Sequence, residues 1–350
     1  MRDTKHKHIA SVVATYWFVS ISMVYLNKVL MSSEAVSIQA PLFITWFQCV
    51  VTTIICWVAG RVSEGIAKRA ESLPLTGDDQ LDSKGRAQAK GFFAQFPKAE
   101  YNPDIGKKVL PLSFIFVGMI TFNNLCLKWV EVSFYNIARS LTIVFNVVFS
   151  QIILGSTISN RTVGCLLFVV CGFFMGAKGE VNFTYVGTAF GLCSSLFVSL
   201  NSIFTKKILP VVENDHWKLT SYNNVNAIVL FLPMIAYFEV GTLFEAMGQQ
   251  MVSPLFWASM MVAGVFGFSI GIVTVMQIKA TSPLSHNISG TAKAAFQSMM
   301  AFYIWKNPAT VMGVAGMFVV LGGSLLYTLV KMREGKSASP SKVGDVEMKK

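Results

Sequence analysis

Residues Ser282 to Trp305, SPLSHNISGTAKAAFQSMMAFYIW, form an apolar stretch with a lysine, Lys293, close to its middle. At about 1.5 Å per residue, a helix of this length crosses the roughly 30 Å hydrocarbon core of a bilayer. A charged side chain near the bilayer centre costs at least ~2.5–3.5 kcal/mol on insertion scales, so it is by default a functional group. The stretch therefore predicts both a membrane helix and a site within it.

The composition of the whole chain indicates the same class of protein. Of its 350 residues, 53% are hydrophobic and only 13% are charged, and the apolar residues occur in membrane-length runs. All six cysteines lie within these runs, which does not indicate a disulfide framework. We predict an all-α integral membrane protein with ten transmembrane helices. The predicted spans are 9–30, 41–60, 107–130, 133–154, 160–178, 184–206, 219–240, 254–277, 282–305 and 309–331.

The distribution of positive charge predicts how the chain is oriented. The net charge is +11, and most Lys and Arg residues between spans fall on the side that carries both termini. Positive residues gather on the cytoplasmic side, so we expect both termini to be cytoplasmic and need no nucleic acid to explain the charge. The transporter domain is predicted to cover 1–331, with a mobile cytoplasmic loop at 61–108 and a disordered tail at 332–350.

A faint internal repeat divides the ten spans into two halves, 9–178 and 184–331. Because each half has five spans, the second half would be inverted relative to the first, as in transporters whose site lies between two halves. This pairing matches the fourth span, which carries Arg139, with the ninth, which carries Lys293. The residues that recur at one constant offset are Lys128, Asn136, Ile137 and Phe145, matched by Lys279, Asn287, Ile288 and Phe296.

The intramembrane cations lack evident acidic partners. All eighteen Asp and Glu residues fall in loops, in tails or at the ends of apolar runs, whereas Lys28, Arg139 and Lys293 lie in or near the ends of spans. Unpaired cations that face a bundle interior suggest a counter-charge that arrives as an anionic ligand. The alternative is that a long side chain reaches the interface, and it stays open, most of all for Lys28.

The seventh span opens with a polar cluster that runs from Tyr222 to Asn226 and reads YNNVN. Amides both donate and accept hydrogen bonds, and a tyrosine adds a ring, which together suit a nucleobase. Alternatively these residues bond other helices, and we favour that interpretation for Asn123 and Asn124. Since Arg and Lys hold phosphate, the combined pattern predicts a nucleotide-bearing anion as the ligand.

These residues resemble the nucleotide-sugar transporters of the drug/metabolite transporter superfamily. The resemblance covers nearly every span except the 61–108 loop and the tails. GDP-mannose carriers of the family have G-A-L-N-K and F-Y-N-N where this chain has G-T-A-K and S-Y-N-N, and these departures count against GDP-mannose. The matching motifs are Leu26-Asn27-Lys28, Phe134-Tyr135-Asn136-Ile137-Ala138-Arg139-Ser140, Tyr222-Asn223-Asn224 and Ser289-Gly290-Thr291-Ala292-Lys293.

The resemblance implies an antiporter of the Golgi membrane that imports GDP-fucose into the lumen in exchange for GMP, by alternating access and without a cofactor. Its partners would be these two substrates and the lipid bilayer, and a homodimer is left open. The implied site residues are Asn223, Asn224, Tyr222 and Ser269 for guanine, Arg139 and Lys293 for the diphosphate, Tyr135 for the sugar, Gly290 and Thr291 as a close-packed floor, and Lys28.

Three alternatives remain at this point. The substrate could be another nucleotide sugar, GDP-mannose or a UDP-sugar, or a smaller phosphorylated anion such as a triose phosphate. An integral-membrane transferase would need a general base or a metal-binding carboxylate at the site, where no acidic residue is predicted. A proton-coupled transporter would have only His286, near a helix end, as its titrating group.

Overall fold

The computed structural model describes residues 2–32, 38–71, 100–155, 158–179, 184–248, 250–281, 283–305 and 310–337, and these residues contain helices and no strand. Two short 3-10 helices, Leu209–Val212 and Gln250–Val252, connect longer ones. The α-helices are α1 Arg2–Ser32, α2 Pro41–Glu71, α3 Pro103–Trp129, α4 Val132–Ser140, α5 Thr142–Leu154, α6 Asn160–Gly179, α7 Tyr185–Ile208, α8 His216–Phe238, α9 Val240–Met247, α10 Pro254–Ala280, α11 Pro283–Trp305 and α12 Val311–Ser337.

The predicted fold class, an all-α integral membrane protein, is confirmed. In the described part of the chain, nine helical segments are long and apolar enough to cross a membrane. Helix α11, which corresponds to the predicted ninth span, is 23 residues long but is not one of these nine. Its serines, amides and lysine lower its hydropathy, as expected for a helix that carries polar residues for a site.

The predicted fourth span is interrupted one residue after Ser140. Helix α4 ends at Ser140 and α5 begins at Thr142. At Leu141, between them, the backbone N–H bonds to the carbonyl of Ala138, three residues back, at 3.2 Å. The Ser140 hydroxyl donates to the carbonyl of Ile137 at 2.6 Å. The interruption places Arg139 in the last turn of a short helix, where the helix dipole favours a cation.

Helices α2 and α12 each extend beyond the predicted span. Helix α2 continues to Glu71, into the segment predicted as a mobile loop, and residues 72–99 of that segment lie outside the described residues. Helix α12 continues to Ser337, past the predicted start of the tail, and 338–350 lie outside as well.

The chain forms two compact units that do not follow the predicted sequence halves. The first unit comprises 1–33, 119–203 and 269–350, and the second comprises 34–118 and 204–268. Each unit therefore takes segments from both halves. The inverted repeat itself stays a prediction.

In the first unit, glycines allow the backbones of helices α6 and α12 to pack closely against each other. A Cβ on Gly316 would lie 2.3 Å from the backbone nitrogen of Gly176, and one on Gly172 would lie 2.7 Å from the nitrogen of Val320. Only residues without a side chain allow backbones to approach this closely, which is the use of small residues in membrane helices. A buried apolar cluster that includes Phe134 lies beside these helices.

In the second unit, α2 and α8 pack around buried apolar side chains that include Phe231. Glu239, just after α8, is only 5% exposed, and its two carboxylate oxygens accept the N–H groups of Leu42 and Phe43, each at 2.8 Å. A carboxylate at a helix N-terminus satisfies donors that have no partner within the helix. This buried acid therefore joins the start of α2 to the end of α8.

Candidate functional site

Arg139 and Lys293, the two cations predicted to hold a diphosphate, both lie in the first unit. Arg139 Nη1 donates to the hydroxyl of Tyr135 at 2.5 Å, and its guanidinium carbon lies 5.8 Å from the centre of that ring. Lys293 Nζ donates to Ser20 Oγ at 2.7 Å and lies 5.8 Å from the ring centre of Tyr16. All three partner residues are electrically neutral.

The two cations are close enough for their like charges to interact. Among the residues that the structure describes, ion pairs join Lys218 to Glu213 and Lys331 to Glu334, and neither Arg139 nor Lys293 takes part in one. Two neighbouring positive charges without a carboxylate favour an anion with more than one negative charge. The Arg139 side chain is exposed and Lys293 is half-buried, so both remain open to a ligand.

Tyr16 and Ser20 of α1 belong to this site, and sequence reasoning missed them. The Tyr16 hydroxyl is hydrogen-bonded to Ser20, which also accepts from Lys293, and Tyr16 interacts electrostatically with Arg139. Tyr16 therefore lies within reach of both cations. Tyr16 and Ser20 are four residues apart, which places them on one face of α1. Nothing in the sequence, however, distinguishes a binding-site tyrosine in an apolar run from one that packs in the core.

Two further polar residues predicted in this unit, Lys28 and Tyr135, have protein partners. Lys28 is 8% exposed, and its ammonium donates to the carbonyls of Leu127 and Val130 at 2.8 and 2.9 Å. It thus caps the C-terminal end of α3, where a cation is favourable. Tyr135 is 3% exposed and accepts from Arg139, so the structure uses its hydroxyl to hold the guanidinium.

The predicted floor of the site is described only in part. A Cβ on Gly290 would meet no atom of the described residues within 4 Å. The side chain of Thr291 lies outside the described residues. Ser269, in α10, is half-buried.

In the second unit, most of the predicted nucleobase cluster bonds to the protein itself. The Tyr222 hydroxyl accepts the N–H of Asn102 at 2.9 Å, and the Tyr222 ring lies 5.0 Å from that of Tyr101. Asn226 accepts from the Tyr101 hydroxyl at 2.8 Å and donates to the carbonyl of Gly106 at 3.0 Å. These contacts fix the start of α3 against α8, which is the structural alternative weighed for this cluster.

The two remaining asparagines of the cluster differ. Asn224 Nδ2 donates to the carbonyl of Thr220 at 2.9 Å within its own helix. Asn223 is 8% exposed, and within the described residues its buried Oδ1 has no hydrogen-bond partner. A buried acceptor without a donor costs about 1–3 kcal/mol, so a ligand N–H that bonds it recovers this cost. Asn223 is therefore the member of the cluster most available to a ligand.

A cavity of about 820 Å³ opens beside the same cluster in the second unit. Its wall includes Tyr101, Tyr222 and Lys218, together with the carboxylates of Glu213 and Asp215. The one lysine is paired with Glu213 at 3.2 Å. Negative charge in excess makes this cavity a poor place for a phosphate.

Comparison with known proteins identifies the family. A sequence profile of the triose-phosphate transporter family matches residues 7–328. The chain belongs to this family. Triose-phosphate transporter family members carry solutes across membranes, so the protein is a transporter and not an enzyme.

Relatives within the triose-phosphate transporter family cover nearly the whole chain. A protein of Nematostella vectensis named GDP-fucose transporter 1 is 45% identical over 95% of this chain and 92% of its own. The Mus musculus protein of the same name is 42% identical over 96% and 88%, and the Drosophila melanogaster protein named GDP-fucose transporter, Golgi, is 40% identical over 94% and 92%. A solved crystal structure shares the fold, with a TM-score of 0.52, 12% identity, and coverage of 91% of this chain and 98% of its own.

Proposed function

We propose that this protein exchanges GDP-fucose for GMP across the Golgi membrane, importing the nucleotide sugar into the lumen by alternating access. The observation that carries the proposal is the pair of neighbouring cations, Arg139 and Lys293, whose described partners are all neutral. A diphosphate supplies the two negative charges that this pair lacks. GMP carries a single phosphate, a monoester with about two negative charges at neutral pH, and is the counter-substrate that we assign to the exchange.

The choice of GDP-fucose rests on the relatives. Proteins that bear this substrate in their names are 40–45% identical to the chain over at least 94% of its length. GDP-mannose, a UDP-sugar and a triose phosphate are the competing substrates. A triose phosphate has no base, so it gives no use to the unpartnered Oδ1 of Asn223.

We assign the predicted residues accordingly. Arg139 and Lys293 hold the diphosphate, while the Oδ1 of Asn223 accepts an N–H from guanine, with Asn224, Tyr222 and Ser269 in supporting roles. Guanine presents N–H donors on its Watson–Crick edge, and a buried amide that is left unpaired by other bases discriminates against them. Both termini are assigned to the cytoplasm from the distribution of Lys and Arg.

The experiment is uptake of radiolabelled GDP-fucose, GDP-mannose and UDP-galactose into proteoliposomes, either empty or preloaded with GMP. We expect uptake of GDP-fucose alone, and only when GMP is inside. Uptake that is equal in empty vesicles contradicts exchange, and equal uptake of UDP-galactose contradicts recognition of guanine.

Base selectivity gives a second test of the same assignment. Asn223→Leu should weaken GDP-fucose uptake and lower the ratio of GDP-fucose uptake to UDP-galactose uptake, because leucine cannot accept a hydrogen bond from guanine. Thr220→Val on the same helix is the control, since the Thr220 hydroxyl donates to the carbonyl of His216 within that helix and has no assigned role in the site. An unchanged preference for guanine in Asn223→Leu removes this residue from the base site.

A further inference from the structure

The contacts of Arg139 continue beyond Tyr135 to two further helices. Tyr135 lies one turn before Arg139 on α4 and accepts the guanidinium hydrogen bond at 2.5 Å. Its own hydroxyl proton is donated to Oδ1 of Asn123 on α3, over 3.4 Å. Ser194 of α7 donates to the same Oδ1 at 2.5 Å. All four residues lie in the first unit.

The chemistry of these groups fixes the direction of every bond. A guanidinium has donors only, and an amide oxygen has acceptors only, whereas a phenol does both. Tyr135 must therefore accept from Arg139 and donate to Asn123. Because Tyr135 is 3% and Ser194 2% exposed, water has little access to either group and cannot readily replace the amide oxygen.

These hydrogen bonds differ from ordinary bonds between helices because they end at a charged group, the guanidinium of Arg139. Arg139 carries a charge that no described carboxylate balances, so its orientation depends on neutral groups alone. The bond between Tyr135 and Asn123 is long, whereas the bond from Ser194 is short, so Ser194 holds the amide oxygen of Asn123 more firmly than Tyr135 does.

We propose that Asn123 is a positioning residue for the anion site: its amide oxygen, held by Ser194, directs the Tyr135 hydroxyl and so orients the guanidinium of Arg139 toward the substrate phosphates. The inference rests on the proposed function, which makes Arg139 a phosphate ligand. A bidentate guanidinium needs a fixed orientation, and residues that touch no ligand supply it at well-built sites.

The test measures binding of GDP and of guanosine to the purified protein. The variants are Asn123→Leu, which removes the acceptor and keeps a side chain branched at Cγ, Tyr135→Phe, which removes the hydroxyl, and the double variant. We expect each single variant to weaken GDP binding by about tenfold, the low end of what loss of an orienting partner costs at metal sites. Guanosine has no phosphate, so its binding should stay unchanged.

The double variant shows whether Asn123 acts through Tyr135 or whether the two residues affect GDP binding independently. If Asn123 acts through Tyr135, the double variant should bind GDP no more weakly than Tyr135→Phe alone. Losses that multiply overturn the inference, as does equal weakening of GDP and guanosine. Thr121→Val on the same helix is the control, because the buried hydroxyl of Thr121 makes no hydrogen bond to the described residues.

Two further outcomes are distinguishable. If the unmodified protein binds no GDP, both the proposed function and this inference are wrong. If it binds GDP and Asn123→Leu binds it equally well, only the inference fails. Should Asn123→Leu not fold, Ser194→Ala keeps the test open, because it frees the amide and should weaken GDP binding without affecting guanosine.

Discussion

Replacing Lys28 by methionine should destabilise the protein without weakening its affinity for GDP. Lys28 and Lys293 both occur in apolar helices, and both were predicted as ligand contacts. The structure gives them different surroundings: the Lys28 ammonium donates to two carbonyls at the end of α3, whereas Lys293 donates to a single hydroxyl beside a second cation. Methionine keeps the length of the side chain and removes its donors and charge.

The size of the effect follows from the two lost bonds. Hydrogen bonds that involve a charged group contribute about 1.5–3 kcal/mol each, and removal of the ammonium also relieves its desolvation, so we expect a net loss of about 1–3 kcal/mol. For a chain of this size that lowers the unfolding temperature by roughly 1–4 °C. The assay is thermal unfolding of the detergent-purified protein, with GDP binding measured on the folded fraction.

Lys293→Met is the matched comparison. It should unfold at the temperature of the unmodified protein and lose GDP binding, because Lys293 has one neutral hydrogen-bond partner among the described residues and a role in holding phosphate. The reasoning is refuted if Lys28→Met unfolds at the unmodified temperature and binds GDP as poorly as Lys293→Met does.

Three further changes test the packing and the polar contacts. Gly316→Ala should destabilise the pairing of α6 and α12 by about 1–3 kcal/mol or more, because the new Cβ meets backbone at 2.3 Å. Gly322→Ala on the same helix is the control, since its Cβ meets no described atom within 4 Å; equal unfolding temperatures for the two variants contradict this. Glu239→Gln should lower the unfolding temperature, since a single amide oxygen replaces the two carboxylate oxygens that accept the N–H groups of Leu42 and Phe43. An unchanged unfolding temperature argues against a stabilising role for these two bonds. Burial and the nearby Tyr222 raise the pKa of Tyr101 above its ordinary value of about 10. The hydrogen bond from the Tyr101 hydroxyl to Asn226 therefore stabilises the folded protein below pH 10, and this stability is lost as the pH rises through the raised pKa. In measurements of unfolding temperature against pH, Tyr101→Phe should remove this loss at alkaline pH.

The positions of the membrane helices could be predicted from the sequence because runs of about twenty apolar residues have one physical use. The proximity of Arg139 to Lys293 was predicted on weaker grounds, from a faint repeat, and the structure places both cations in one unit and within electrostatic range. Charge is rare inside a membrane, so each intramembrane cation is conspicuous in the sequence.

Other features have no comparable pattern in the sequence. The break at Leu141 occurs in a stretch without proline or glycine, so no residue type marks it. The partners of Lys28 are backbone carbonyls, which every residue has, so its capping role depends on how α1 packs against the end of α3. Asparagine bonds equally well to a base or to another helix, and only the tertiary contacts separate Asn223 from Asn226.

The central claim is that two cations of the first unit, Arg139 and Lys293, which have no acidic partner among the described residues, hold the phosphates of an exchanged nucleotide. The most direct measurement is the rate of GDP-fucose uptake into GMP-loaded proteoliposomes for the unmodified protein, Lys293→Ala and Lys331→Ala. Lys331, paired with Glu334 on α12, is the control lysine. The account predicts background uptake for Lys293→Ala at equal protein incorporation and normal uptake for Lys331→Ala. Normal exchange by Lys293→Ala would contradict it.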